Sequence, residues 1–387
     1  MPELVTQKTC TGCTACVAAC PQGCIAMVQD EEGFLHPQID YALCIECGMC
    51  ERSCPVLHAP AIGQESVAFA AKAKEEDILR HSTSGGVFTL LCRWIFEKGG
   101  VVFGAAYQGD FSVAHQKIDS AEGLHCLRFA KYTQSVMGDT FAQVRQELED
   151  GRYVLFSGTP CQTAGLKSFL GHAYERLVLV DVICHGVPSP EIWAHYVHYR
   201  SKADAAGELP VSINLRSKCT GWPAYSVEFA YENGAVYRAL NREDPYIRGF
   251  VNDLYLRLSC HDCRFKGQSR CSDFTLGDYW GVWSQLPAYD DQQGTSLVLV
   301  HSQRGREIWM EICEGARWQQ MPLPDCLAEN PAAVRSPKIP ANRGAFWTRY
   351  QQEDFSRLIE ELLPHPQAPV RTPLWRRVVR KLRLRHV

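Results

Sequence analysis

Residues 10–21, CTGCTACVAACP, and residues 44–55, CIECGMCERSCP, are one pattern written twice. Each copy reads Cys-x-x-Cys-x-x-Cys-x-x-x-Cys-Pro. In such a run, three closely spaced thiolates hold one 4Fe-4S cubane and the fourth, distant cysteine crosses to the other cluster. Cluster I is therefore assigned to Cys10, Cys13, Cys16 and Cys54, and cluster II to Cys44, Cys47, Cys50 and Cys20. Soft sulfur ligands suit zinc as well as iron–sulfur clusters, but zinc ribbons use paired CxxC units, not two runs of four closed by proline. The ninth cysteine before residue 55, Cys24, is read as a small buried residue.

At 387 residues the chain is too long for a bare two-cluster module and has room for one or two further domains. Hydrophobic residues make up 46% and charged residues 21%, the balance of an ordinary globular protein. No run approaches the 18 apolar residues of a spanning helix. The start, MPELVTQKTC, has neither a basic nor an apolar leader region. Iron–sulfur spacing without an export signal gives the expectation of a redox protein in a reducing cytoplasm, with no nucleic-acid partner.

The net charge of −3 is unevenly spread. Residues 371–387, RTPLWRRVVRKLRLRHV, hold seven Arg or Lys and no acid, which leaves 33 basic and 43 acidic residues before them. Trp375, Val378, Val379 and Leu382 recur near helical spacing. Such a tail can dock on an anionic inner-membrane surface or an acidic partner, or be a plain solvated terminus.

From about residue 66 onward the pattern becomes strand, special loop, helix, as in α/β domains. SGGVFTLLCRWIFEKGG predicts a helix opened by Ser84-Gly85-Gly86 and closed by Gly99-Gly100. Strands are expected at 101–107, 153–156, 177–183 and 295–300. The 177–183 strand is nearly all apolar and so central, buried on both faces. Pro188-Ser189-Pro190 opens a further helix with Ser as cap and Pro in the first turn. From about residue 320 the periodicity fades, and short helices resume around 353–363.

Two of these strands end in a cysteine, Cys161 and Cys184, at the carboxyl edge where open α/β sheets bind ligands. With Cys260-x-x-Cys263 they make four loop cysteines, a set for a third 4Fe-4S cluster or for zinc. Cys92, Cys126, Cys219, Cys271, Cys313 and Cys326 lack partners at ligand spacing and are read as free thiols. The Ser82–Gly86 stretch is either a phosphate-binding helix start or simply an N-cap with glycines for a tight turn. His185 could donate a proton or ligate, though an ordinary loop histidine is commoner. No GxGxxG follows a strand and no Walker loop is present, so nicotinamide and P-loop chemistry have no support.

In order along the chain, HSTSGGVFTLL, KYTQS, FSGTPCQTAGL, DVICHGVPSP, LRSKCTGW, CHDCRFKGQSRCSDFTLGDYWG and GTSLVLVHSQRG resemble the beta subunit family of coenzyme F420-reducing hydrogenases and dehydrogenases. The likeness covers roughly residues 1–350. It is strongest to bacterial members with an N-terminal ferredoxin module, some of them found alongside polysaccharide-modification genes. It implies an α+β ferredoxin-like two-cluster module followed by an α/β flavin-binding domain holding FAD and one more 4Fe-4S cluster. The implied activity is hydride exchange between the flavin and coenzyme F420 or another small reducible substrate. By this resemblance Cys161, Cys184, Cys260 and Cys263 become the ligands of the third cluster. Ser84, Gly85, Gly86, Lys131, Tyr132 and Gln134 become flavin-proximal. Thr159 and Gln162 would line the pocket, and Asp273, Gly277 and Asp278 its rim.

The expected organisation is a two-cluster module at 1–58, a flavin domain at 66–345 divided near 150/151, and a C-terminal extension at 346–387. The leading expectation is an iron–sulfur flavoprotein oxidoreductase with a redox partner protein or small electron carrier. A non-catalytic relay subunit, or a cluster-bearing sensor or scaffold, are the competing readings. Ferrying electrons needs clusters alone, whereas joining one-electron carriers to a hydride needs a flavin too.

Overall fold

The computed structural model of the chain describes residues 1–63 and 66–363, so the basic tail lies outside the described residues. The N-terminal module is built on a two-stranded hairpin, β1 (Ile25–Gln29) against β2 (Leu35–Ile39). Its own apolar core is very small, Cys24, Ile25 and Cys50, while Cys13 and Ala15 are buried in a core of the larger domain. So small a core cannot stabilise a module of this size without cross-links or metal.

The main body is one eight-stranded mixed sheet in the order β13-β3-β12-β11-β7-β6-β4-β5. The ranges are β3 (Val67–Ala73), β4 (Val101–Tyr107), β5 (Val113–Ile118), β6 (Val154–Gly158), β7 (Leu177–Val182), β11 (Phe274–Asp278), β12 (Ser296–Val300) and β13 (Ala316–Met321). The four middle strands, β11, β7, β6 and β4, are parallel; the flanking pairs are antiparallel. β7 is central, as its nearly all-apolar run predicts, Asp181 being its one charged residue. Residues 66–150 and 151–345 both supply strands to this sheet, so the 150/151 division runs through it rather than between two bodies.

Alternation along the strands feeds two cores. Val102, Leu155, Val178, Val180 and Val298 pack under the helices Val87–Glu97 and Gln303–Ile312. Val101, Phe103, Val154, Phe156 and Leu179 face the helices Thr140–Glu149 and Pro160–Leu170, and this second core is the one that the module's Cys13 and Ala15 join.

A smaller antiparallel sheet, β8 (Ser212–Ser217), β9 (Ser226–Ala230) and β10 (Val236–Leu240), packs on the helix Pro190–Ala205. Ser189 caps that helix by accepting from the Ile192 N–H, as expected. Its core also takes Phe346, Tyr350, Phe355, Leu358 and Ile359 from two C-terminal helices. Residues 346–363 are thus part of this core and not an appended extension. Among the described residues no helix is long and apolar enough to cross a membrane.

A polar chain runs through the middle of the large sheet. Asp181 on β7 accepts from Ser272 Oγ (2.9 Å) and Thr275 Oγ1 (2.5 Å), and Thr275 Oγ1 meets His301 Nε2 at 2.7 Å. Ser66 Oγ meets the other ring nitrogen of His301 at 2.7 Å. Burial, with Arg270 nearby, pulls His301 down to about 3, and burial pushes Asp181 up to about 6. A base whose folded pKa is depressed resists the proton that the unfolded chain takes up below about 6.5, so stability is lost as pH falls through that value. Asp181 works in the opposite direction, its stabilising protonation being lost as pH rises from 3.8 through about 6. His115, pulled by burial to about 4, adds to the loss in acid. Urea unfolding between about pH 7.5 and 5 should show falling stability, and His301→Gln should flatten the slope by on the order of 1.4 kcal/mol per pH unit. An unchanged slope in the variant would exclude His301 as a source.

Candidate functional site

The duplicated cysteine runs fold as a repeat in detail. Gly12 and Thr14 take positive φ (70° and 67°), and the equivalent Glu46 and Gly48 do the same (56° and 68°). These left-handed turns aim backbone N–H groups at sulfur: Gly12 N–H to Cys10 Sγ and Glu46 N–H to Cys44 Sγ, both at 3.4 Å. Cys16 is pushed up by burial and then by Cys13, Cys10 and Cys54, which puts the crossover cysteine Cys54 beside the first run. Cys20, Cys44, Cys47 and Cys50 line one depression of the module. Cys24 is buried, as read, but it lines the same depression, with its Sγ 3.4 Å from that of Cys20.

The second group forms where β6 and β7 end. The helix Pro160–Leu170 starts with a capping box: the Thr159 N–H and hydroxyl both bond Gln162 Oε1, at 2.9 and 3.1 Å. That start fixes Cys161, whose Sγ lies 3.2 Å from Thr159 Oγ1. Cys184 lies two residues past the end of β7, and Cys260 and Cys263 sit in and after the 3-10 turn Leu258–Asp262. The four converge from three separate parts of the chain. Cys161 is raised by burial and then by Cys263, Cys184 and Cys260. Burial first, with Lys266 opposing, holds Cys184 at about 11; burial and Cys184 push Cys260 to about 12. Val187 N–H points at Cys260 Sγ (3.4 Å).

Beside these cysteines opens a cavity of about 680 Å³, within the range of small-molecule and cofactor sites. Cys184 is in its wall. Of the residues expected near a flavin, Ser84, Gly86, Lys131, Tyr132, Thr159, Gln162, Gly277 and Asp278 line it. Three do not. Gly85 is wedged where a Cβ would stand 2.2 Å from the Ala71 carbonyl, so its role is the close approach of helix to strand. Gln134 turns to the N-terminal module, donating to the Thr11 carbonyl (2.9 Å). Asp273 is committed to the Leu179 N–H and the Ser302 hydroxyl.

The wall also includes His115, Ser135, Arg216, Tyr225 and Trp280, none of them among the residues expected near a flavin. His115 on β5 accepts at Nδ1 from Ser135 Oγ (3.0 Å) and donates from Nε2 to the Ser157 carbonyl (3.0 Å), since only one ring nitrogen of a neutral histidine carries hydrogen. Gln162 Nε2 donates to Ser135 Oγ at 2.9 Å. A continuous chain therefore runs from Cys161 through Thr159, Gln162 and Ser135 to His115. Across the cavity, Arg216 pairs with Asp278 and lies over the rings of Tyr225 (4.6 Å) and Trp280 (5.7 Å). Lys131 Nζ donates to the Cys126 and Arg128 carbonyls (2.9 and 2.5 Å), and burial pulls its amine down to about 7. His185, beside Cys184, is held by Asp253 Oδ1 at 2.6 Å.

Comparison with known proteins places two segments. Residues 151–325 match the family model for the C terminus of the coenzyme F420 hydrogenase/dehydrogenase beta chain. Residues 9–57 match the 4Fe-4S dicluster domain. Over 47 residues, 12% of this chain, the sequence is 45% identical to pyruvate synthase subunit PorD of Methanothermobacter marburgensis. The chain spans about half the length of that curated relative, 48%. Among solved structures, a chain of the F420-reducing [NiFe] hydrogenase complex from Methanosarcina barkeri is similar with a TM-score of 0.46 and 16% identity. The likeness covers 80% of this chain and 99% of that one.

Proposed function

We propose that the chain, whose residues 151–325 match the model for the C terminus of the coenzyme F420 hydrogenase/dehydrogenase beta subunit, is a member of that family and an iron–sulfur flavoprotein oxidoreductase with three 4Fe-4S clusters and one FAD. The observation that carries this reading is the convergence of Cys161, Cys184, Cys260 and Cys263 on a cavity of about 680 Å³ whose wall includes Cys184. Among the described residues no three Cys, His, Asp or Glu side chains close to single-ion distance. Sulfurs around one zinc stand about 4 Å apart, whereas a cubane takes its thiolates at four separate corners. Four converging thiolates in a chain that already carries two all-cysteine cubane motifs favour a third cluster over zinc.

The cavity suits FAD by size and lining. The start of the helix Val87–Glu97 opens on it through Ser84 and Gly86, offering backbone N–H groups to phosphate. Tyr132, Phe250 and Trp280 supply aromatic wall. FAD, when bound, supplies the coupling between one-electron carriers and two-electron hydride chemistry. The chain's part is to hold and orient: Gln162, Ser135 and His115 fix one wall, and the Arg216–Asp278 pair fixes the other. The second substrate is coenzyme F420 or another small reducible compound, and the outer electron donor or acceptor is a partner protein or small carrier.

Anaerobically purified protein should contain about 12 irons, matching sulfide and one FAD. About eight irons with no flavin would reject this reading and leave a relay subunit.

A further inference from the structure

The module's first cluster site and the four-cysteine site are clamped together from the second site's side. Arg257 lies three residues before Cys260 and is 1% exposed. Its backbone N–H bonds the Val187 carbonyl (3.0 Å), which ties it to the loop after Cys184. Its side chain crosses into the module, with Nε donating to the Cys10 carbonyl (2.7 Å) and Nη2 to the Leu35 carbonyl (2.9 Å). Nη1 donates to Gln134 Oε1 at 3.0 Å, and Gln134 in turn grips Thr11. One residue after Cys263, Arg264 Nη1 donates to the Val56 carbonyl (3.0 Å), two residues past Cys54. Both loops of the first cluster, at Cys10 and at Cys54, are thus held by arginines flanking the Cys260/Cys263 pair.

A third contact sets the spacing. A Cβ on Gly165 would stand 2.9 Å from Cys13 Sγ. Gly165 is one turn along the same helix from Cys161, about 6 Å at 1.5 Å per residue. The two cysteine sets are neighbours across a single helical turn.

The charge of Arg257 needs its own account. A buried cation is costly unless compensated, and its hydrogen-bond partners are carbonyls, an amide oxygen and the His36 ring. Among the described residues no carboxylate bonds it. Cubanes ligated by four thiolates are net anionic and would stand on either side of it.

We propose that Arg257 is the positioning residue of an electron junction, fixing cluster I against the third cluster and raising the reduction potentials of both relative to cluster II. This deepens the proposed function and rests on its third cluster. A fixed positive charge favours the reduced, more anionic state of each neighbour. Cluster II, whose cysteine loop at Cys44–Cys50 is not among the arginines' partners, is the internal control. The arrangement makes the pair an electron sink next to the cavity.

The test is an EPR-monitored redox titration of holoprotein as wild type, Arg257→Leu and Arg257→Lys, with iron counted in each. In Arg257→Leu the reduced-to-oxidised ratio of cluster I and the third cluster at a given solution potential should fall about tenfold, a shift of about 59 mV for one electron. Cluster II should not move. Spin–spin coupling between reduced cluster I and the third cluster should be present in wild type and weaken in the leucine variant. Arg257→Lys, which keeps the charge, should restore the potentials and serves as the readout if the leucine variant sheds iron. Unmoved potentials, or equal shifts in all three clusters, would overturn the proposal. So would wild-type potentials in Arg257→Leu together with a shift in Arg257→Lys. About eight irons in wild type would instead remove the third cluster, and the proposed function with it.

Discussion

Cys161→Ser should leave a folded protein with about eight irons in place of about 12 and with its two-cluster module spectroscopically intact. Fold survival follows from the local structure. The capping box between Thr159 and Gln162 starts the helix without help from the thiol, and serine tolerates a first-turn position. Iron loss follows from ligand count. Hydroxyl is a poor substitute for a thiolate, and Cys184, Cys260 and Cys263 would be left holding three corners. Flavin should remain, because Cys161 itself is not in the cavity wall, whereas Thr159 and Gln162 are. Reduction of a dye acceptor through the clusters should therefore drop while FAD content holds. The loss should exceed the roughly 10–100-fold cost of changing a group outside the ligand sphere. Iron and sulfide assay, EPR and acceptor kinetics on one preparation read all of these. Retention of about 12 irons would end the assignment of Cys161.

What the sequence made legible is whatever short-range pattern encodes. The eight module cysteines are read from spacing alone. The helix start at Gly86 and the capped start at Ser189 are read from turn and cap chemistry within a few residues. β7 is legible because a strand-length run that is nearly all apolar fits a central position buried on both faces. The convergence of Cys161, Cys184, Cys260 and Cys263 was half legible: two strand ends and one CxxC are visible, but their meeting depends on strand order.

The rest depends on partners far away in sequence. Arg257 and Cys10 are 247 residues apart, and nothing near Arg257 announces the contact. Gln134 lies in KYTQS between residues that do line the cavity, yet its neighbour across the fold is Thr11. β13 has five of its six residues at least partly exposed and stays below any hydrophobic signal, being an edge strand paired only to β3. The small sheet of β8, β9 and β10 escaped for a related reason. Its strands are short and mixed, and their apolar faces make sense only against the helix Pro190–Ala205 and the two C-terminal helices. His115 could not be found either, because its wall position follows from the antiparallel pairing of β5 with β4.

That same pairing supplies a variant that should separate flavin from iron. Ala105 on β4 is paired with His115, so their side chains share a face, and both line the cavity. Ala105→Trp puts an indole into this space from a position where strand propensity favours an aromatic residue. The backbone is not strained and no cysteine is touched. FAD per chain should fall at least about tenfold, a loss of about 1.4 kcal/mol in binding or more, while iron stays at about 12. Measuring released flavin by fluorescence against iron in the same sample decides it. Normal FAD content would mean that the cavity is not the flavin site, whatever the four cysteines hold. Set beside Cys161→Ser, which should lose iron and keep flavin, the two variants act in opposite directions on two cofactors that share the Cys184 wall. A relay protein without flavin has no way to produce that pair of results, since Ala105→Trp would then change neither cofactor nor rate.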